Sequence, residues 1–251
     1  MTPRLRFAVD IAYRAGRSTL SKFNVGVEAR LKADESPVTL ADEECEAMIR
    51  QAIREQYPGE TILGEEQGLT GTGDDRWVID PIDGTRSFIN GVPLYGTLVA
   101  YERDGLPILG VCYFPALDEM LYAEISSGTF WNGRPCSVRQ DNRGRNTTVC
   151  FGGLTSMIKR NRVSGLEAIA NRGWILRSWC DAYGHALVAT GRAEAMVDPV
   201  VERYDISAMK IIVEEAGGTF TAFDGGDPFQ NREAIASNGS VHDTILEAFK
   251  S

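Results

Sequence analysis

The sequence predicts a mixed α/β (α+β) protein, and three observations carry that reading. Between Leu94 and Arg139 several short β-prone runs are separated by turn residues, with Asp104-Gly105 and Asn132-Gly133 as hairpin signals. After about residue 140, short apolar runs alternate with helical stretches. Two amphipathic segments precede both regions. The 251 residues are expected to pack as two lobes in one compact unit, an antiparallel-sheet lobe over 1–140 and an α/β lobe over 141–251.

The elements follow in order. Leu5, Ala8, Val9, Ala12, Ala15 and Leu20 recur near helical spacing and predict a helix over 5–23. A second helix is expected from about 41 to 56, with Thr39 as N-cap, Asp42 three residues on, and Tyr57-Pro58-Gly59 as its stop. Residues 26–31 alternate weakly, which fits a short strand. Thr61-Ile62-Leu63 and Trp77-Val78-Ile79 are apolar runs that lead into acids. Sheet strands are expected over 95–101, 108–114, 119–125, 129–131 and 137–139. In the second half the pattern gives strands over 149–151, 174–176, 195–197, 219–222 and 234–236. It gives helices over 163–171, 181–190, 205–216 and 241–249, the third of these stopped by Gly217-Gly218.

Composition excludes several classes. An apolar fraction of 43% is ordinary for a folded protein, and no apolar run is long enough to span a bilayer. The formal net charge of −9 opposes nonspecific nucleic-acid binding, so neither nucleic acid nor membrane is expected as a partner. The N-terminal residues lack the apolar core of an export signal, which points to the cytoplasm. The five cysteines are scattered, with no C-x-x-C pair, and read as free thiols. His185, His242, Trp131, Trp174 and Trp179 read as packing or surface groups.

Three groups of acids do not look like solvated charge. Gly64-Glu65-Glu66 follows one apolar run, Asp80 and Asp83 follow another, and Asp205 opens a helix. A strand that runs into an acid presents it at the sheet edge, where α/β folds place ligand sites. In Asp80-Pro81-Ile82-Asp83, Pro81 fixes its own φ and holds Asp80 extended, so that both carboxylates can converge. Two carboxylates that close repel unless a cation lies between them. With no Cys or His nearby in the sequence, the oxygen-only set suits a hard ion such as Mg²⁺. Gly84-Thr85-Arg86 follow at the start of a helical turn, where outward amides suit a phosphate. Each piece alone is an ordinary turn, solvated pair or helix cap; their joint occurrence suggests phosphoryl chemistry.

Taken together, G-E-E at 64–66, W-V-I-D-P-I-D-G-T at 77–85 and Y-D-I-S-A…E-E-A-G-G at 204–218 resemble the inositol-monophosphatase-like phosphatases, over nearly the whole chain. Tyr204 stands where many members carry tryptophan. The resemblance implies the sugar-phosphatase αβαβα sandwich, Mg²⁺ dependence with two or three ions per site, lithium sensitivity and a homodimer. It implies a first ion on Glu65, Asp80 and the Ile82 carbonyl, a second on Asp80, Asp83 and Asp205, and a third, weaker one near Glu65. Thr85 matches the threonine that orients an attacking water, with Asp42 as its paired acid. In-line attack without a covalent enzyme intermediate follows from the same likeness.

The stretch from Ser87 to Ala100, C-D-A-Y-G at 180–184 and the Tyr204-Asp205 pair resemble the histidinol-phosphatase branch. That implies L-histidinol phosphate as the small phosphorylated metabolite, within histidine biosynthesis. Its ammonium and imidazole suit acids beyond the metal site, for which Asp181 and Asp198 are candidates beside Gly84, Thr85 and Arg86. Inositol 1-phosphate or another small sugar phosphate is the alternative substrate. A non-catalytic, metal-stabilised binding protein is the alternative of another class; it would be marked by a lost metal acid or a lost Thr85–Asp42 pair, and all are present.

Overall fold

Five layers stack in the order helix, sheet, helix, sheet, helix. The computed structural model describes residues 1–26, 28–32, 37–140 and 147–250. The lobe boundary expected at 140–141 falls beside positions outside the described residues.

The first half comprises α1 (Pro3–Thr19), β1 (Arg30–Leu31), β2 (Pro37–Val38), α2 (Leu40–Gln56), β3 (Thr61–Gly64), β4 (Gly68–Thr70), β5 (Arg76–Asp83) and α3 (Thr85–Ile89). A meander follows through β6 (Gly96–Arg103), β7 (Leu106–Phe114), β8 (Glu119–Glu124), β9 (Thr129–Trp131) and β10 (Arg134–Cys136). The second half holds β11 (Thr148–Phe151), α4 (Leu154–Lys159), α5 (Val163–Asn171), β12 (Ile175–Arg177), α6 (Asp181–Ala189) and β13 (Ala195–Asp198). It ends with α7 (Arg203–Glu215), β14 (Thr219–Thr221), α8 (Pro228–Asn231), β15 (Ala234–Ser237) and α9 (His242–Phe249).

The large sheet runs β10-β9-β8-β7-β6-β5-β3-β4 and the smaller one β12-β11-β13-β15-β14. Both are mixed: β3 and β5 pair in parallel, as do β11 with β12 and β13, and the remaining pairs within the two sheets are antiparallel.

Period-two alternation sorts the side chains into layers. Trp77, Ile79, Val99 and Tyr101 face α1 and α2, where they meet Ile11, Ile49 and Ile53. Their neighbours Val78, Leu98 and Ala100 face the opposite way, toward Ile206, Met209 and Val213 of α7 and Ala186 of α6. Met196 and Ala236 of the small sheet close that same middle core, whereas Ala195, Val197 and Ile235 face outward onto α5 and α9. Burying both faces leaves the central strands apolar on each side, which is why short runs rather than clean alternation mark them in the sequence.

The boundaries differ from the sequence expectation where turns set them. Pro3 occupies the first turn of α1 and Thr2 caps it, accepting from the Leu5 amide, so the helix begins earlier and ends at Thr19. The strand expected at 137–139 lies instead at Arg134–Cys136, because the Asn132-Gly133 hairpin pairs Arg134 directly with Trp131. Of the strand expected at 26–31, the two-residue β1 is what forms among the described residues.

Candidate active site

Three residues apart on a regular strand, Asp80 and Asp83 would point to opposite faces. They do not, because β5 carries a bulge between them: Asp80 pairs with Leu98 and Asp83 with Gly96, so three steps on β5 match two on β6. The extra residue turns Asp83 back to the face of Asp80, toward the middle helix layer. Thr97 anchors the bulge by donating its hydroxyl to the Pro81 carbonyl at 2.9 Å, and the Ile82 amide donates to Asp80 Oδ1 at 3.1 Å.

The first turn of α7 lies opposite. Glu202 and Asp205 form a reciprocal capping box, in which the Glu202 amide donates to Asp205 Oδ2 at 2.8 Å. Asp80, Asp83 and Asp205 each offer an oxygen within 4.8 Å of the others. Asp80 is 1% exposed and Asp83 7%. Burial first, then the charges of Glu65, Asp83 and Asp205, hold the Asp80 carboxyl well above the usual carboxylate range. Asp83 and Asp205 are raised in the same way, by burial and then by neighbouring acids. No ion pair neutralises the three among the described residues. The donor set is all oxygen, and such buried mutual repulsion is what a hard divalent cation relieves, so the residues fit the ion expected from the sequence.

Glu65 lines the same cleft but stands outside that trio, 2.7 Å from Lys32 Nζ, which also reaches Glu66 Oε1 at 2.7 Å. The turn that carries both glutamates is held from beneath by Glu46. Its carboxylate, fully buried, accepts from the Glu66 amide at 2.7 Å, the Gln67 amide at 3.0 Å and Arg50 Nε at 2.7 Å. A Cβ at Gly64 would collide with Glu46 Oε1 and lie 2.8 Å from Arg50 Nη2, so this pair explains the glycine of G-E-E.

Thr85 and Asp42 meet from two helix starts. Asp42 Oδ2 accepts from the Thr39 amide at 2.8 Å and the Thr39 hydroxyl at 2.6 Å, completing the cap of α2. Oδ1 is left for the Thr85 hydroxyl at 3.3 Å, which also lies 3.1 Å from the Ile82 carbonyl. Burial raises the Asp42 carboxyl, opposed by the Thr39 bonds. Gly84 turns the chain from β5 into α3 at φ 79°, in the left-handed region, and a Cβ there would sit 3.0 Å from Asp181 Oδ2.

These groups line a cleft of about 390 Å³ whose wall includes Glu65, Asp80, Ile82, Asp83, Gly84, Thr85, Arg86, Asp181, Asp198 and Asp205. A wider recess of about 540 Å³ near Thr72, Asp74 and Asp104 gathers no comparable trio. Asp83 Oδ2 accepts from the Ala182 amide at 2.7 Å, which ties the first turn of α6 to β5. Asp181 is raised by burial, with the Cys180 thiol and the Arg86 charge acting against it. Asp198 is raised well above the usual range, by burial and then by Asp181.

Sequence reasoning missed the roles of Lys32, which bonds Glu65, of Cys180, which lines the cleft, and of the Glu46–Arg50 pair, which holds the glutamate turn from beneath. The Glu46–Arg50 pair has i,i+4 spacing, which is also the mark of a solvated helix face, so no signal separated the two cases.

A five-layer αβαβα sandwich, with two acids at the end of a central strand facing a third at the start of a middle helix, defines a class of layered α+β protein with an oxygen-only acid cluster in its cleft. The chain belongs to the inositol monophosphatase family, whose model matches residues 1–251. It is 41% identical over 251 residues to the histidinol-phosphatase of Chlorobaculum parvum, covering 99% of this chain and 97% of that protein. It is 34% identical to the histidinol-phosphatase of Streptomyces coelicolor, over 96% and 95% of the two chains. Among solved structures, the extragenic suppressor protein SuhB of Bartonella henselae superposes with a TM-score of 0.93 at 28% identity, covering 100% and 99%. An IMPase of Thermotoga maritima gives 0.90 at 32% identity, covering 99% and 97%.

Proposed function

We propose that this chain is a phosphoric monoester hydrolase that uses Mg²⁺ to hydrolyse L-histidinol phosphate to L-histidinol and phosphate. The observation that carries the chemistry is the trio Asp80, Asp83 and Asp205, within 4.8 Å of one another at the foot of the cleft. Those three, with the Ile82 carbonyl and Glu65, would hold two or three ions. Bound there, the ions supply an activated water and charge stabilisation on the leaving oxygen. Asp42 fixes the Thr85 hydroxyl, which is placed to orient the attacking water. The amides of Gly84, Thr85 and Arg86 at the start of α3 face the phosphate. Asp205 is aligned by its capping box and Asp83 by the Ala182 amide, so neither needs to reorganise during the reaction.

Two observations favour histidinol phosphate over inositol 1-phosphate or another sugar phosphate. Asp181 and Asp198 add partly buried acids to the cleft wall beyond the trio, suited to the ammonium and imidazole of histidinol. Relatives similar over nearly their full length bear the histidinol-phosphatase name. A homodimer, lithium sensitivity and a cytoplasmic place in histidine biosynthesis belong to the same proposal. So does the division into lobes 1–140 and 141–251 acting as one unit, the first supplying most metal ligands and the second Asp205.

Phosphate release from histidinol phosphate and from inositol 1-phosphate, each with Mg²⁺ and with a chelator, tests the reading. Mg²⁺-dependent turnover with histidinol phosphate preferred is expected. A strong preference for inositol 1-phosphate would overturn the substrate and keep the chemistry.

A further inference from the structure

Adjoining the cleft, and sharing Asp83, Asp181, Asp198 and Asp205 with its wall, lies a second and much smaller cavity of about 60 Å³. Its walls carry Asp83, Asp181, His185, Asp198 and Asp205, with Val200 and Val201 beside them. We propose that this cavity holds a bound water through which His185 positions Asp198 and Asp205.

His185 lies on α6, is 2% exposed, and its Nδ1 has no hydrogen-bond partner among the described residues. One side of the ring is apolar, with Phe220 at 5.2 Å between ring centroids. Burial lowers its pKa to about 3, so the ring is neutral and offers one donor and one acceptor. The other polar side chains of the wall are all carboxylates. Asp198 is partly buried among them, and the hydrogen bond it receives from the Val200 amide is long, at 3.3 Å. Asp205 receives the Glu202 amide on Oδ2.

The wall therefore has surplus acceptors and one imidazole donor. A buried polar group left without a partner costs about 1–3 kcal/mol, which makes a dry cavity unfavourable here. A water occupies about 30 Å³ and makes two to four bonds, so the space and the polar lining suit one or two. Accepting from the imidazole N–H and donating to Asp198 and Asp205, such a water fixes the orientation of both carboxylates. His185 is thus a positioning residue: it acts on the ion through Asp205 and reaches no substrate. Outer partners of this kind are worth about 10–100-fold in metal affinity.

This inference rests on the Mg²⁺ reading of the site, and calorimetric titration of Mg²⁺ into the metal-free protein separates the two. His185→Phe fills the cavity with an apolar ring; it is expected to bind Mg²⁺ about tenfold more weakly, with the thermal midpoint of the metal-free protein unchanged or raised. His185→Gln restores an N–H in the same direction and is expected to recover most of the affinity. Equal affinity in His185→Phe and the parent overturns the proposal, as does a His185→Gln variant no better than His185→Phe. A parent that binds no Mg²⁺ overturns the metal reading instead. Should His185→Phe fail to fold, a high-resolution crystal structure of the parent decides: water bonded to His185 and a carboxylate supports the proposal, and a dry cavity contradicts it.

Discussion

The Thr85 hydroxyl lies 3.3 Å from Asp42 Oδ1, joining the first turn of α3 to the first turn of α2. Because the Thr39 cap occupies Oδ2, the carboxylate cannot turn away from Thr85. With its proton shared between Asp42 Oδ1 and the Ile82 carbonyl at 3.1 Å, the hydroxyl keeps its lone pairs for a water proton. Thr85→Ala is therefore expected to lower kcat by about 10²–10⁴-fold with KM little changed. Thr85→Ser, which keeps the hydroxyl, should retain most of the rate. Steady-state kinetics on the two variants checks this, and an active Thr85→Ala would remove the pair from the mechanism.

Gly64 is the tightest backbone position near the site. A methyl group there meets the buried Glu46–Arg50 pair, which cannot retreat without losing the Glu66 and Gln67 amides. Gly64→Ala should destabilise by about 1–3 kcal/mol, read as a lowered denaturation midpoint. It should also weaken Mg²⁺ binding, because Glu65 sits on the displaced turn.

Glu102 makes a buried bridge between the strand that bears Asp80 and Asp83 and the helix that bears Asp205. Its carboxylate accepts from Arg76 Nε at 2.9 Å, at the start of β5, and from Arg203 Nη1 and the Ser207 hydroxyl at 2.8 Å each, which flank Asp205 on α7. Glu102→Ala leaves these donors without their shared acceptor and should cost about 3–5 kcal/mol in urea unfolding. A cost under about 1 kcal/mol would show the bridge to be dispensable.

His242 gives a pH dependence remote from the site. Its ring nitrogens lie 2.9 Å from the Thr221 and Ser237 hydroxyls, and burial lowers its pKa from 6.5. The unfolded chain takes up the proton first, so the stability this group contributes is present above pH 6.5 and lost as pH falls through the folded pKa. The stability difference between the parent and His242→Gln should shift against the parent between pH 7 and 5. Parallel pH profiles for the two proteins would contradict this.

Much of the fold and site was legible because the deciding residues are close in sequence. Asp80 to Thr85 is one contiguous run, and Thr39 with Asp42 spells its own cap. The bulge that brings Asp80 and Asp83 to one face is a matter of pairing with β6, which no local pattern states. Glu46, Arg50 and Glu102 carry no local mark of burial, since spacing does not distinguish a buried ion pair from an exposed one. His185 read as a packing residue, and it is one on its Phe220 side; the acid-lined cavity arises only when α6, β13 and α7 come together. Lys32 is 33 residues from Glu65, and its contact with that acid is tertiary.

The most direct test of the central claim is phosphate release from histidinol phosphate by the parent and by Asp83→Asn, at saturating Mg²⁺ and with chelator. The account predicts turnover in the parent that chelation abolishes, and a folded Asp83→Asn protein that has lost nearly all of it. Turnover in Asp83→Asn equal to that of the parent would mean that Asp80, Asp83 and Asp205 do not form the metal site.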